Sequence, residues 1–198
     1  MSLVDVQLPI NQMPLPRDVR QFLKVANRRV ERFSREHNEP GFIPSDYPCV
    51  YRALQALMYS EMATGNLFCE WGSGLGIVCC LASMLGFDTV GIENVEELVE
   101  EAEKLAERFE VPVEYIQDSF IPPDAPVLQD DLYPWLDASA GELEERMDLS
   151  IEDFNVIYVY PWPDEEQIVA DLFDHYASEG TFLLTYHSLG EVRARRKE

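Results

Sequence analysis

The chain has 198 residues, 46% hydrophobic and 11% aromatic, enough for one domain with a sizeable core and at most a small helical appendage. No apolar run approaches the roughly 20 residues of a membrane span, and no basic segment, apolar stretch and cleavage site stand at the N-terminus, so neither a span nor a signal peptide is expected. The formal charge of −22 is uneven: residues 1–35 carry seven Lys/Arg and three Asp/Glu, residues 193–198 four and one, and the 157 between them four and 33, a balance that repels phosphate backbones and argues against nucleic acid as a substrate unless the basic ends form a binding face. Such a surface favours a small-molecule or cationic protein substrate, or simply keeps a cytoplasmic protein soluble.

Residues 1–16, with Pro9, Pro14 and Pro16, read as an irregular arm. From Asp18 apolar residues recur at 19, 22, 23, 26, 30 and 33, a helical stripe with Arg and Lys on the other face, ended by Asn38-Glu39-Pro40-Gly41. Ser45 and Asp46 supply caps for a second helix with Pro48 in its first turn, an apolar face of Val50, Leu54, Leu57 and Met58, and Gly65 as its close. Residues 1–62 are expected to form an arm and helical cap over the ligand site, the alternative being a first helix that only covers apolar surface on the far side of the sheet, and removing residues 1–35 should leave a folded core.

From Leu67 strands and helices alternate. Strands are predicted near 67–71, 88–92, 113–117, 154–159 and 181–186, and helices over 75–85, 95–109 (capped by Asn94) and 165–178. Residues 121–150 interrupt this rhythm with four prolines, eight acids and one arginine; Tyr133, Trp135 and Leu136 argue that part of this insertion docks, and 141–147 suits a short helix. The pattern predicts an α/β fold: a doubly wound, mostly parallel sheet of about five strands. Residues 191–197 leave room for one short antiparallel edge strand whose charges would block edge-to-edge pairing. Cys49, Cys69, Cys79 and Cys80 lack C-x-x-C spacing and read as buried, reduced thiols of a reducing cytoplasm, ahead of metal or redox chemistry at the Cys79-Cys80 pair, so no metal site is expected.

The chemistry concentrates at Phe68-Cys69-Glu70-Trp71-Gly72-Ser73-Gly74-Leu75-Gly76, an apolar strand ending in a carboxylate and running through a glycine-rich turn into a buried helix. Glycine lets that backbone turn sharply and approach a flat ligand, toward which the helix directs unpaired N–H groups. Glu93 ends the second strand, close to the ~20-residue offset at which nucleotide-binding α/β units place a ribose-binding carboxylate. The third glycine comes one residue too early for a dinucleotide-binding G-x-G-x-x-G loop.

This segment resembles the first motif of the class I S-adenosylmethionine (SAM)-dependent methyltransferases, [D/E]-x-G-x-G-x-G, matched in full from Glu70 to Gly76. The resemblance spans roughly residues 63–188 and implies a Rossmann-like SAM-binding core over 63–198, with 121–150 as an insertion. It implies cofactor contacts at Glu70, Gly72, Ser73, Gly74 and Gly76, with Glu93 on the ribose and Asp118 and Ser119 beside the adenine. Where amino-directed members carry [D/N]-P-P-[Y/F], this chain has Tyr160-Pro161-Trp162-Pro163, which implies substrate contacts at Tyr160 and Trp162 and departs from the pattern at Tyr160. Tyr160 and His187, both at strand ends, are the catalytic candidates, while His37 and His175 read as helix-surface residues. The family's final pair of strands is not evident. Rival readings are a nicotinamide-dependent oxidoreductase, polyamine synthesis from decarboxylated SAM, and a SAM- or partner-binding protein without turnover. The acceptor stays open between a small molecule and a protein lysine side chain.

Overall fold

The computed structural model describes residues 2–36, 43–122, 125, 146–162, 165–187 and 190–198. The expected helix end at 38–41, His37, most of the insertion including its aromatic residues, Pro163, Asp164 and Ser188 lie outside the described residues. Among the described residues no helix is long and apolar enough to cross a membrane.

Short apolar runs bounded by turn residues become the strands, and the longer stripes become the helices. In chain order these are β1 (Leu3–Val6), α1 (Arg17–Glu36), α2 (Tyr47–Ser60), β2 (Leu67–Trp71), α3 (Ile77–Met84), β3 (Asp88–Glu93), α4 (Glu96–Arg108) and β4 (Glu114–Gln117). After the insertion come a 3-10 turn at Ile151–Asp153, β5 (Val156–Val159), α5 (Glu166–Tyr176), β6 (Phe182–His187) and β7 (Glu191–Lys197). All seven strands join one sheet in the order β1-β7-β6-β5-β2-β3-β4. Strands β2 to β6 are mutually parallel, and their order is that of a doubly wound sheet, which reverses direction between β2 and β5.

The sheet has seven strands rather than about five. Strand β7 runs antiparallel to β6 and pairs on its other side with β1, so it is an interior strand and β1 forms the margin. Residues 3–6 are therefore not an irregular arm: Leu3 pairs with Lys197, and Ser2 and Glu198 exchange two backbone hydrogen bonds of 3.1 Å. Three of the four basic residues of β7 have partners, Arg196 pairing with Glu198, while Arg195 Nε is buried without one. Arg193 grips the Asp5 carboxylate through two bonds of 2.6 and 2.8 Å. The buried Lys197 ammonium donates to the carbonyls of Asp174 and Ala177 at the end of α5, where the helix leaves acceptors unpaired.

Because strand side chains alternate, each face of the sheet buries its own core. On one face Phe68, Val156, Tyr158, Phe182 and Leu184 meet α1 to α4. On the other, Cys69, Trp71, Ile92, Ile157 and Leu183 meet α5 and the residues flanking the insertion. Helix α1 lies against α3 and α4: Phe22 packs edge-on to Phe109, and Arg29 donates to the Glu101 carbonyl at 3.0 Å. Its stripe is largely buried, with Val19, Phe22, Leu23, Ala26 and Phe33 all in the core.

Three local expectations shift. Asp46 caps α2 as expected, accepting from Cys49 N–H at 3.0 Å, but α2 ends at Ser60 with Glu61 in the left-handed region rather than at Gly65. Helix α4 begins at Glu96 with Val95 in the capping position, so Asn94 is not its cap. All four cysteines are free, and Cys49 is half-buried.

Candidate functional site

Parallel α/β sheets bind ligands beyond the carboxyl ends of their strands, where the strand order reverses. Here the ends of β2, β3, β4 and β5 enclose a cavity of about 320 Å³, within the usual range of small-molecule sites, roughly 300–1,000 Å³. It is lined by Glu70 and Gly72 to Gly74 after β2, Glu93 after β3, Asp118 and Ser119 after β4, and Tyr160 and Trp162 after β5. The structure thus gathers residues up to 122 positions apart in the sequence, from Ile43 to Glu165, into one site.

Two carboxylates fix the glycine loop. Helix α3 starts at Gly76 without a side-chain cap, and the Glu70 carboxylate takes over that duty from the neighbouring strand, accepting from Cys79 N–H at 3.0 Å and Cys79 Sγ at 2.9 Å. Burial pushes the Glu70 carboxyl up to about 8; the bonds from Cys79 oppose this, and the charge of Glu93 adds to it. Glu93 bridges the loop and the next helix: one oxygen accepts from Gly74 N–H at 2.8 Å and the other from Val95 N–H at 3.1 Å. Gly74 has a φ of 53°, a left-handed conformation that favours glycine.

Gly76 does not line the cavity. A side chain there would place its Cβ 2.1 Å from Tyr115 Oη, which donates to the Gly76 carbonyl at 3.0 Å. Its small size serves the contact of α3 with β4, not the ligand. His187 is also outside the cavity lining; it is held by Thr185 Oγ1 at 2.9 Å and Glu166 at 3.2 Å. Asp118 turns its carboxylate onto Ser119 N–H at 2.8 Å, and the Ser119 hydroxyl accepts from Ile121 N–H at 3.0 Å, so this pair shapes the loop after β4.

Several lining residues carry no motif. Ile43, Ser45 and Tyr47, at the entry to α2, reach the cavity, and Ser45 is anchored to Tyr158 by a 2.8 Å hydrogen bond. This short segment, not α1, is the N-terminal contribution to the site. Glu165 also lines it, three residues beyond Trp162. The capping pair Ser45-Asp46 was the available signal for the first segment, since a helix start fixes where the preceding chain must lie.

Two buried polar atoms beside the cavity lack partners: Ser73 Oγ and Trp71 Nε1, on residues that line it. Its charge is one-sided: Glu93, Asp118 and Glu165 line it beside the Glu70 carboxyl, whose ionisation burial opposes, whereas none of the chain's fifteen Lys and Arg, all of them in described segments, does so. No group of three or more His, Cys, Asp or Glu suited to a metal ion occurs among the described residues.

No family model and no curated protein matches the chain. Solved structures do. An RNA methyltransferase from Salinibacter ruber, in complex with S-adenosyl-L-homocysteine, is 20% identical over 78% of this chain and 92% of that one, with a TM-score of 0.53. An O-methyltransferase from Bacillus cereus, also with S-adenosylhomocysteine, is 16% identical over 88% and 67%, with a TM-score of 0.53. A 16S rRNA methyltransferase from T. thermophilus, in complex with AdoMet and guanosine, is 13% identical over 80% and 44%, with a TM-score of 0.54. The chain has the class I methyltransferase fold.

Proposed function

We propose that this protein is a SAM-dependent methyltransferase. The observation that carries the reading is the convergence, at the reversal point of the sheet, of the Glu70–Gly76 loop, Glu93 and Asp118 on one carboxylate-rich cavity. SAM suits that charge, because its sulfonium and ammonium outnumber its single carboxylate. A dinucleotide would instead bring a pyrophosphate into a site lined by Glu93, Asp118 and Glu165, by the Glu70 carboxyl, and by no Lys or Arg.

In this reading the unpartnered Ser73 Oγ and the loop backbone meet the SAM carboxylate, Glu93 accepts from the ribose hydroxyls, and the loop at Asp118 and Ser119 borders the adenine. Bound SAM supplies an electrophilic methyl group: the acceptor forms the new bond, the S–C electron pair stays on sulfur, and the acceptor's proton leaves to a base or solvent. The chain's own part is alignment and exclusion of water. Tyr160 is suited to both, its ring set edge-on to Tyr186 with centroids 4.8 Å apart. Two of the structurally similar proteins act on RNA or rRNA. The lack of Lys and Arg around this cavity supports an acceptor that is not anionic.

Calorimetric titration tests the reading. SAM and S-adenosylhomocysteine should bind and raise the melting temperature, and NAD should do neither. Binding of NAD without binding of SAM would overturn it.

A further inference from the structure

The β5 side of the cavity differs in character from the glycine-loop side. Its surface is formed by Ile43, Tyr160, Trp162 and Glu165. Trp162 is 41% exposed, an indole open to water at the rim, whereas Trp71 is 1% exposed in the core. Trp162 and Glu165 are joined twice: Glu165 N–H donates to the Trp162 carbonyl at 2.9 Å, and Trp162 N–H donates to Glu165 Oε2 at 3.3 Å. That second bond ties a carboxylate to the backbone of the residue that carries the indole. A carboxylate accepts several hydrogen bonds at once, so Glu165 keeps acceptor capacity for a ligand.

An aromatic face, a second fixed ring at Tyr160 and a tethered carboxylate together form a site for an organic cation. The face of the indole attracts positive charge, the apolar side chains accept the methylenes of an alkyl stem, and the carboxylate accepts N–H bonds. The same wall disfavours anions, since no Lys or Arg lines the cavity to offset its carboxylates. We propose that this wall is a subsite for an aliphatic ammonium group, either a lysine side chain or a free polyamine, and that this group is the methyl acceptor once it has lost a proton to solvent: the freed nitrogen lone pair forms the N–CH3 bond as the S–CH3 bond breaks with its pair left on sulfur. The role as acceptor rests on the methyltransferase reading; the binding of the amine does not.

The test is binding at physiological salt, which screens loose attraction to the acidic surface. The probes are spermidine, a short lysine peptide, the same peptide acetylated at the lysine Nε, and its glutamate counterpart, each titrated with and without S-adenosylhomocysteine. Amines should bind, and the acetylated and glutamate peptides should not. Trp162→Ala and Glu165→Gln should each weaken amine binding by about fivefold or more, while Glu103→Gln on the exposed face of α4 should leave it unchanged. Glu165→Gln retains an oxygen for Trp162 N–H, so the turn survives and only the charge is lost. The tighter of the two amine probes identifies the source. Equal binding by wild type and both site variants, or equal binding of the acetylated peptide, would overturn the subsite. S-adenosylhomocysteine binding with no amine discrimination overturns the subsite alone, whereas amine discrimination without S-adenosylhomocysteine binding overturns the methyltransferase reading alone.

Discussion

Glu93 and Glu70 each hold backbone N–H groups of the loop region as well as facing the cavity, so their substitution has two separable effects. Glu93→Ala removes the acceptors of Gly74 and Val95 N–H, stranding two donors at a cost of roughly 1–3 kcal/mol each if water does not replace them. Glu93→Gln keeps one acceptor oxygen and loses the charge. It should stay folded and bind SAM at least about tenfold more weakly, as expected for a lost charge-assisted bond. Unchanged affinity in the titration would remove Glu93 from the ribose. Glu70 makes a different prediction, on pH. Burial holds its carboxyl above the ordinary carboxylate value of 4.5, at about 8 in the folded protein. Between those values the folded state keeps a proton the unfolded chain has released, so stability is whole below the lower value and falls as pH rises through the upper one. Glu70→Gln abolishes this dependence. Its melting temperature, compared with wild type, should gain between pH 5 and pH 8; a constant difference across that range would show that Glu70 does not change ionisation there.

The elements divide by how fully they are buried. The five parallel strands were legible because buried strands read as unbroken apolar runs between turn residues, as in Leu67-Phe68-Cys69 or Val156-Ile157-Tyr158-Val159. Strand β1 was not: Leu3-Val4-Asp5-Val6 is four residues long, half-exposed and followed by prolines, and nothing local reveals a partner in residues 194–197. In β7 the run Arg193-Ala194-Arg195-Arg196-Lys197 read as charges guarding an edge, because neither the grip on Asp5 nor the capping of α5 by Lys197 has a sequence signature. The site shows the same division. Glu70 to Gly74 and Glu93 stand in a motif, whereas Ile43, Tyr47 and Glu165 reach the cavity only through tertiary packing. Deleting residues 1–8 should cost roughly 1–3 kcal/mol through four lost cross-strand pairs, read as a lower urea midpoint. An unchanged midpoint would mean that β1 adds nothing. Deleting residues 1–35 would also strip Phe22 and its neighbours from the α1–α4 face, so the earlier expectation of an intact core gives way to one of unfolding.

Across the whole molecule, charge is sorted by position in the chain: eleven of the fifteen bases lie in residues 1–35 and 193–198. Some are tied back to the acidic body, as Arg32 is to Glu101 at 2.7 Å. With a net charge of −22, repulsion among the carboxylates should outweigh these exposed pairs. Thermal stability should therefore rise with added sodium chloride as that repulsion is screened. A melting temperature that falls with salt would mean that attraction between the basic ends and the acidic body dominates. The closure of the sheet by β1 and β7 has a consequence for how the protein comes into being. Lys197, opposite Leu3 in the ladder, leaves the ribosome 194 residues after it. Until then the first strand waits beside a sheet that cannot yet receive it. The entropy of closing so long a loop grows only slowly with length, but the search cannot begin until β7 has been made. The β1 margin is thus joined to the sheet only after the other six strands exist.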